Sequence, residues 1–166
     1  MPTPNAQDIL FVQERIPHHQ QSVQMADLAL AQGTSPAVKA LATQINAAQD
    51  PELSTMSGWL TAWGQPTSAP GSSDMGGMDH SGMDMGDGSS MGMMSDKELA
   101  DLRAASGAAF DRMWLTMMIA HHQGAVSMAD QEIAQGSNPD VKALAQSIMT
   151  GQTAEIATMK ELLAAN

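Results

Sequence analysis

The sequence predicts an all-α protein, an antiparallel four-helix bundle made of two helical hairpins. Three observations carry that prediction. The 166-residue chain repeats itself: a displacement of 121 − 18 = 103 positions lays His121-His122-Gln123 on His18-His19-Gln20, and from His18 to Leu60 about half the aligned positions are identical. Helix start and stop signals recur at the same places in both copies. No alternation of apolar and polar residues is sustained long enough to call for a strand. Two copies are too few for a solenoid, so the repeated unit reads as a hairpin that packs on its own copy.

The first helix is expected over 6–32. Gly33 follows it as a left-handed C′ residue. Pro17 removes one backbone donor and should kink the chain just before His18. Ser35-Pro36 supplies an N-cap and a proline at the first helical position, opening a second helix over 36–63. Residues 64–94 differ in kind, being dense in Gly, Ser and Pro with Met75, Met78, His80, Met83, Met85, Met91, Met93 and Met94 among them. That composition predicts a disordered linker, long enough to cross from one hairpin to the next. Ser95-Asp96-Lys97-Glu98 has the pattern of a capping box and should start a short helix reaching about Ala105. After a break at Gly107, a third long helix is expected over 107–135. Gly136 repeats the terminal glycine, and Asn138-Pro139 opens a fourth long helix over 139–164. The predicted organisation is one domain: a first hairpin at 1–63, the linker at 64–94, and the short helix plus second hairpin at 95–166.

The chain has 7 basic and 18 acidic residues, a net charge of 7 − 18 = −11. Such a surface repels nucleic acid and anionic membranes and attracts cations. No run of about 20 apolar residues could span a bilayer, so no membrane insertion is expected. With 16 methionines, five histidines and no cysteine, disulfides, zinc–thiolate sites and iron–sulfur clusters are excluded. Thioether and imidazole together suit a soft ion, copper(I) ahead of copper(II). A cysteine-free chain suits copper in an oxidising compartment. The expected location is therefore periplasmic or secreted, with a signal peptide removed and Met1 added for expression.

Helical spacing gathers the candidate ligands. At 100° per residue, Val38, Leu41, Ile45, Gln49, Glu52 and Met56 share one line, as do Val141, Leu144, Ile148, Gln152, Glu155 and Met159. A carboxylate on a buried stripe needs a counter-charge, donors or a metal. Glu52–Met56 and Glu155–Met159 are i,i+4 pairs whose side chains can reach one point. His18 shares a face with Met25, and His121 with Met117 and Met128. His19 and His122 are turned by about 100° from their neighbours. One histidine of each pair binds metal while the other hydrogen-bonds a carboxylate, or each serves its own site. Glu52 and Glu155 are ligands or acceptors for the histidines. Arg15 and Glu14 take the places that Met118 and Met117 hold in the second half.

The preferred internal site is accordingly His121, His122, Met117, Met118, Met128, Glu155 and Met159. A weaker equivalent uses His18, His19, Met25, Glu52 and Met56. His80 and the seven linker methionines form a lower-affinity collector. The competing reading makes the methionines core filler and the histidines structural hydrogen-bonders of an interaction module. Enzyme signatures are missing: there is no Glu-x-x-His pair, no His-Glu-x-x-His and no Gly-x-Ser-x-Gly. The chain is expected not to be an enzyme, with copper(I) oxidation as a third class. The expected partners are the copper ion and a copper exporter, chaperone or oxidase.

The stretch Met118-Ile119-Ala120-His121-His122-Gln123-Gly124-Ala125-Val126-Ser127-Met128-Ala129 resembles the Met-Ile-x-His-His-Gln-x-Ala-x-x-Met-Ala hallmark of the bacterial family of domain of unknown function 305. Gln152, Glu155 and Met159 match its downstream Gln-x-x-Glu-x-x-x-Met pattern. The first half keeps His18, His19, Gln20, Met25, Gln49, Glu52 and Met56 and departs at Arg15, Pro17, Gln21 and Ser22. The resemblance covers both halves but not the linker. It implies a ferritin-like four-helix bundle and a part in copper handling.

Overall fold

The computed structural model describes residues 3–67 and 92–165, and among these every element is helical. The order is α1 (Ala6–Gln32), α2 (Pro36–Trp63), α3 (Asp96–Ala104), α4 (Gly107–Gln135) and α5 (Pro139–Ala165). These bounds lie within a residue or so of those the capping signals predict. α1 packs on α2 and α4 on α5, and the two hairpins meet chiefly through α1 against α4. Among the described residues no helix is long and apolar enough to cross a membrane.

The caps explain the starts. The Asn5 side chain accepts from the Asp8 backbone N–H, while the Asp8 carboxyl accepts from the Asn5 N–H. Ser95 and Glu98 close the same kind of box at α3. Ser35 accepts from Val38 N–H and Asn138 from Val141 N–H, which starts α2 and α5. Pro17 lies inside an uninterrupted α1, and Pro51 inside α2.

The expectation for Gly33 and Gly136 is corrected. Neither is left-handed: Gly33 has φ −68° and Gly136 φ −73°, both extended. Glycine is needed there because of crowding. A Cβ on Gly33 would sit 2.6 Å from the Ala29 carbonyl oxygen, and one on Gly136 would run into the Glu132 carboxyl and lie 2.6 Å from Asp8 Oδ1. The left-handed helix end is Gly64, at φ 68°.

Two carboxylates tie each hairpin to the other's turn. Asp111 on α4 accepts from Thr34 N–H, Thr34 Oγ1 and Ser35 N–H in the α1–α2 turn. Asp8 on α1 accepts from Ser137 N–H, Ser137 Oγ and Asn138 N–H in the α4–α5 turn. Sequence reasoning did not single out this pair, although 111 − 8 = 103.

The core divides in two. One cluster contains Met25, Ala26, Val38, Ala42, Ile45, Trp114, Leu115, Met118 and Met159. The other contains Phe11, Val12, Met56, Met128, Ala129, Val141, Ala145 and Ile148. Members correspond at the same displacement: Met25 to Met128, Val38 to Val141, Ile45 to Ile148, Phe11 to Trp114. Trp114 Nε1 also donates to the Met25 carbonyl at 2.8 Å, fixing α4 to α1.

The ends of the stretch 64–94 are described and make defined contacts. Gln13 Nε2 donates to the Pro66 carbonyl. Gln21 holds Met94 by both backbone groups, accepting its N–H at 2.8 Å and donating to its carbonyl at 3.0 Å. Gly92, at φ 77°, lies so close over α4 that a Cβ would press on the Ala120 carbonyl and stand 3.0 Å from His121 Cα. Met75, Met78, His80, Met83, Met85 and Met91 lie outside the described residues.

Candidate metal centre

A buried polar layer separates the two apolar clusters. α1 contributes Arg15, His18 and His19, α2 Gln49 and, less deeply, Glu52, α4 His121 and His122, and α5 Gln152 and Glu155. The spacing that aligned these residues in sequence sets them at one level because each hairpin folds back at its turn.

His122 Nε2 lies 2.7 Å from Glu155 Oε1, and His19 Nε2 lies 2.6 Å from Glu52 Oε1. A carboxylate only accepts, so each ring places its proton on Nε2. The neighbouring Arg15 Nη2, 3.3 Å from His19 Nε2, therefore has no lone pair there to bond. The expected turn between neighbouring histidines is seen: His19 and His122 face carboxylates, while His18 and His121 stack on each other across the α1–α4 contact, centroids 3.7 Å apart. Arg15 Nη1 donates to His18 Nδ1 at 2.5 Å.

Electrostatics keeps two of the rings neutral. Burial drives the His121 pKa well below the usual value, with His122 and Arg15 adding to it. Burial, then Arg15 and His121, does the same to His19. Burial raises Glu52, opposed by Arg15 and assisted by Glu155. A neutral imidazole offers a lone pair to a metal, and one held through its other ring nitrogen by a carboxylate is oriented and made more basic.

Several buried atoms of the layer have no hydrogen-bond partner. These include His19 Nδ1, His121 Nε2, His122 Nδ1, Gln49 Oε1 and Gln152 Oε1. Each such atom costs about 1–3 kcal/mol. The three histidine nitrogens are the donors a metal ion would satisfy, so the residues present fit one. Among the described residues no three His, Asp or Glu side chains form an oxygen–nitrogen metal cluster.

Sulfur is distributed by end of the molecule and not by half of the sequence. Met25, Met94, Met118 and Met159 lie in one cluster, with Met113 and Met117 partly buried against it. Met56 and Met128 lie in the other, with Met149 beside them. Thus Met118, Met117, Glu155 and Met159 are brought to the His121 side of the layer, joined by Met25 from the other hairpin. Met128 is not: it and Met159 lie on opposite sides of the layer, about 15 Å apart along the axis by helical rise. Met25 and Met56 are separated in the same way. Met94, expected as a linker ligand, is buried, and Met93 is half-buried. The signal that could have revealed this sorting is the antiparallel sense of each hairpin, which sends residue 128 toward its turn and residue 159 away from it.

The chain is similar to known proteins in sequence and in fold. The sequence model of the family "Domain of unknown function (DUF305)" matches residues 8–163. No curated protein matches the chain. A crystal structure of a DUF305 fragment from Deinococcus radiodurans is 31% identical, with a TM-score of 0.84 over 99% of this chain and 100% of that one. A DUF305 protein from Streptomyces coelicolor, presumed to be secreted, is 29% identical, with a TM-score of 0.82 over 96% of this chain and 93% of that one. CopM in its Cu(II)-bound form is 33% identical, with a TM-score of 0.78 over 95% of this chain and 96% of that one. CopM has also been solved in Cu(I)-bound, silver-bound and apo forms.

Proposed function

We propose that this chain, which belongs to the family of domain of unknown function 305, binds copper, copper(I) in preference to copper(II), and stores, buffers or delivers it. The observation that carries the reading is the pair of orphaned imidazole nitrogens, His121 Nε2 and His122 Nδ1, buried beside a cluster containing Met118, Met159 and Met25. Nitrogen and thioether at low coordination number suit copper(I). The copper-bound and silver-bound forms of CopM support it from the side of the relatives. The principal site takes His121, His122, Met117, Met118 and Met159, with Glu155 holding the His122 ring. Met128, His18, His19, Glu52 and Met56 form the weaker counterpart across the layer.

We read the architecture as a ferritin-like antiparallel four-helix bundle that arose by duplication of one hairpin. The working location is outside the cytoplasm, supported by the presumed secretion of the Streptomyces relative. The activity is carriage without turnover, with a copper exporter, chaperone or oxidase as the protein partner. Anaerobic titration of copper(I) against a strong chelator tests the reading. His121→Ala combined with His122→Ala is expected to remove at least one tight equivalent. Unchanged stoichiometry and affinity would overturn it.

A further inference from the structure

Residue pairs 103 positions apart occupy corresponding places, and one pair differs in kind. At one end Met118, Met25 and Met159 lie in a single cluster, one helical turn from His121. Their counterparts at the other end are Arg15, Met128 and Met56. Arg15 is fully buried, donates to His18 Nδ1 at 2.5 Å, and lies with one nitrogen 3.3 Å from His19 Nε2. Glu52 is the opposite charge it acts on.

The two ends therefore differ in charge balance. At the first-half end the half-buried Glu52 carboxyl already feels the charge of the Arg15 guanidinium. At the second-half end Glu155 has no such cation: among the described residues its one ion pair is with His122. A buried charge is costly without a partner. The first-half end already holds a cation, although His19 Nδ1 is as unpartnered there as His122 Nδ1 is opposite, and the second-half end holds none among the described residues.

We propose that Arg15 is a specificity-determining residue, a resident cation in the first-half site that leaves the interior with one tight site for a soft metal ion and only a weak second one. Arg15 replaces a thioether donor, takes up the His18 lone pair by donating to it, and repels an incoming cation at short range. The proposal rests on the copper-binding reading above, and its test separates the two.

The experiment titrates silver(I), a redox-inert soft cation, into the full-length chain under chelator competition. Side-chain ring resonances of His19 and His122 are followed by NMR with 15N-labelled histidine. In the unmodified protein the His122 ring is expected to respond at the first tight equivalent and the His19 ring to need at least tenfold more free silver. Arg15→Met is expected to gain one tight equivalent and to bring the His19 response to the affinity of His122. Met118→Arg, the converse change, is expected to abolish the tight His122 response. Silence of both rings in the unmodified protein would sink the copper reading itself. Simultaneous response of both rings in the unmodified protein would overturn the role of Arg15 alone, whether or not either variant folds. So would a folded Arg15→Met variant with no added equivalent.

Discussion

Replacing Glu132 by glutamine is expected to remove a loss of stability that grows with pH and to stabilise the protein at neutral pH. Glu132 is fully buried beneath the α4–α5 turn, its carboxyl close to Gly136 and Asp8. Burial raises its pKa first and the Asp8 carboxyl raises it further, to about 9, with Lys142 opposing. Burial also acts to raise Asp8, but hydrogen bonds from Glu132 and from the backbone of Asn5, Ser137 and Asn138 outweigh it and lower the pKa. One proton therefore sits on Glu132 and is donated to the Asp8 carboxylate. Unfolded, Glu132 titrates at 4.5, so the native chain carries an extra proton between pH 4.5 and about 9. Its contribution is whole below pH 4.5 and is lost as pH rises through that window, by up to about 1.4 kcal/mol per unit. From pH 6 to pH 8 the loss is about 2–3 kcal/mol. Glutamine keeps a donor toward Asp8 and has no acidic proton to lose. Urea denaturation at pH 6, 7 and 8 measures both proteins. Because the buried neutral His19 and His121 act alike on both proteins, the stability of Glu132→Gln relative to wild type should grow by about 2–3 kcal/mol from pH 6 to pH 8. A variant that declines in parallel with the wild type would refute the shared proton.

Asp111→Ala removes the acceptor of three hydrogen bonds in the α1–α2 turn. It is expected to lower stability by about 2–4 kcal/mol in denaturant titration, against less than about 0.5 for the exposed Asp130→Ala. Two glycines should respond oppositely in thermal melts. Gly136→Ala forces a methyl group into the Glu132 and Asp8 carboxyls and destabilises, whereas Gly151→Ala in α5 meets nothing within 4 Å and stabilises by about 0.5–1 kcal/mol. Silver(I) at a hundred times its dissociation constant should raise stability by about 2.7 kcal/mol, seen as a higher melting temperature. That gain should shrink in the His121→Ala, His122→Ala double variant.

The helices were legible because their boundaries are written in local chemistry. Ser35-Pro36, Asn138-Pro139 and the Ser95–Glu98 box satisfy orphan backbone groups, which depends little on the rest of the fold. The polar layer was legible too, since helical periodicity places His19 and Glu52, or His122 and Glu155, at facing positions. The grouping of the sulfur atoms was not. A repeat invites each half to be taken as a unit, but paired antiparallel hairpins exchange neighbours, so Met25 joins Met118 and not Met56. Gly33 and Gly136 show another limit. A glycine needed for a left-handed turn and one needed for lack of room look identical in sequence, and only the nearby carbonyl and carboxyl groups tell them apart. The Asp8 and Asp111 braces are contacts across 129 and 77 positions, for which the chain carries no local mark.

Those two braces also bear on how the chain matures. A ribosome releases the amino-terminal hairpin before it has made Asp111, the residue that secures that hairpin's turn. Thr34 and Asp111 are 77 positions apart, which at ordinary elongation rates is a delay of about 4–15 s. For that interval α1 and α2 have only each other, and the face that α1 later buries against α4 stays open to water.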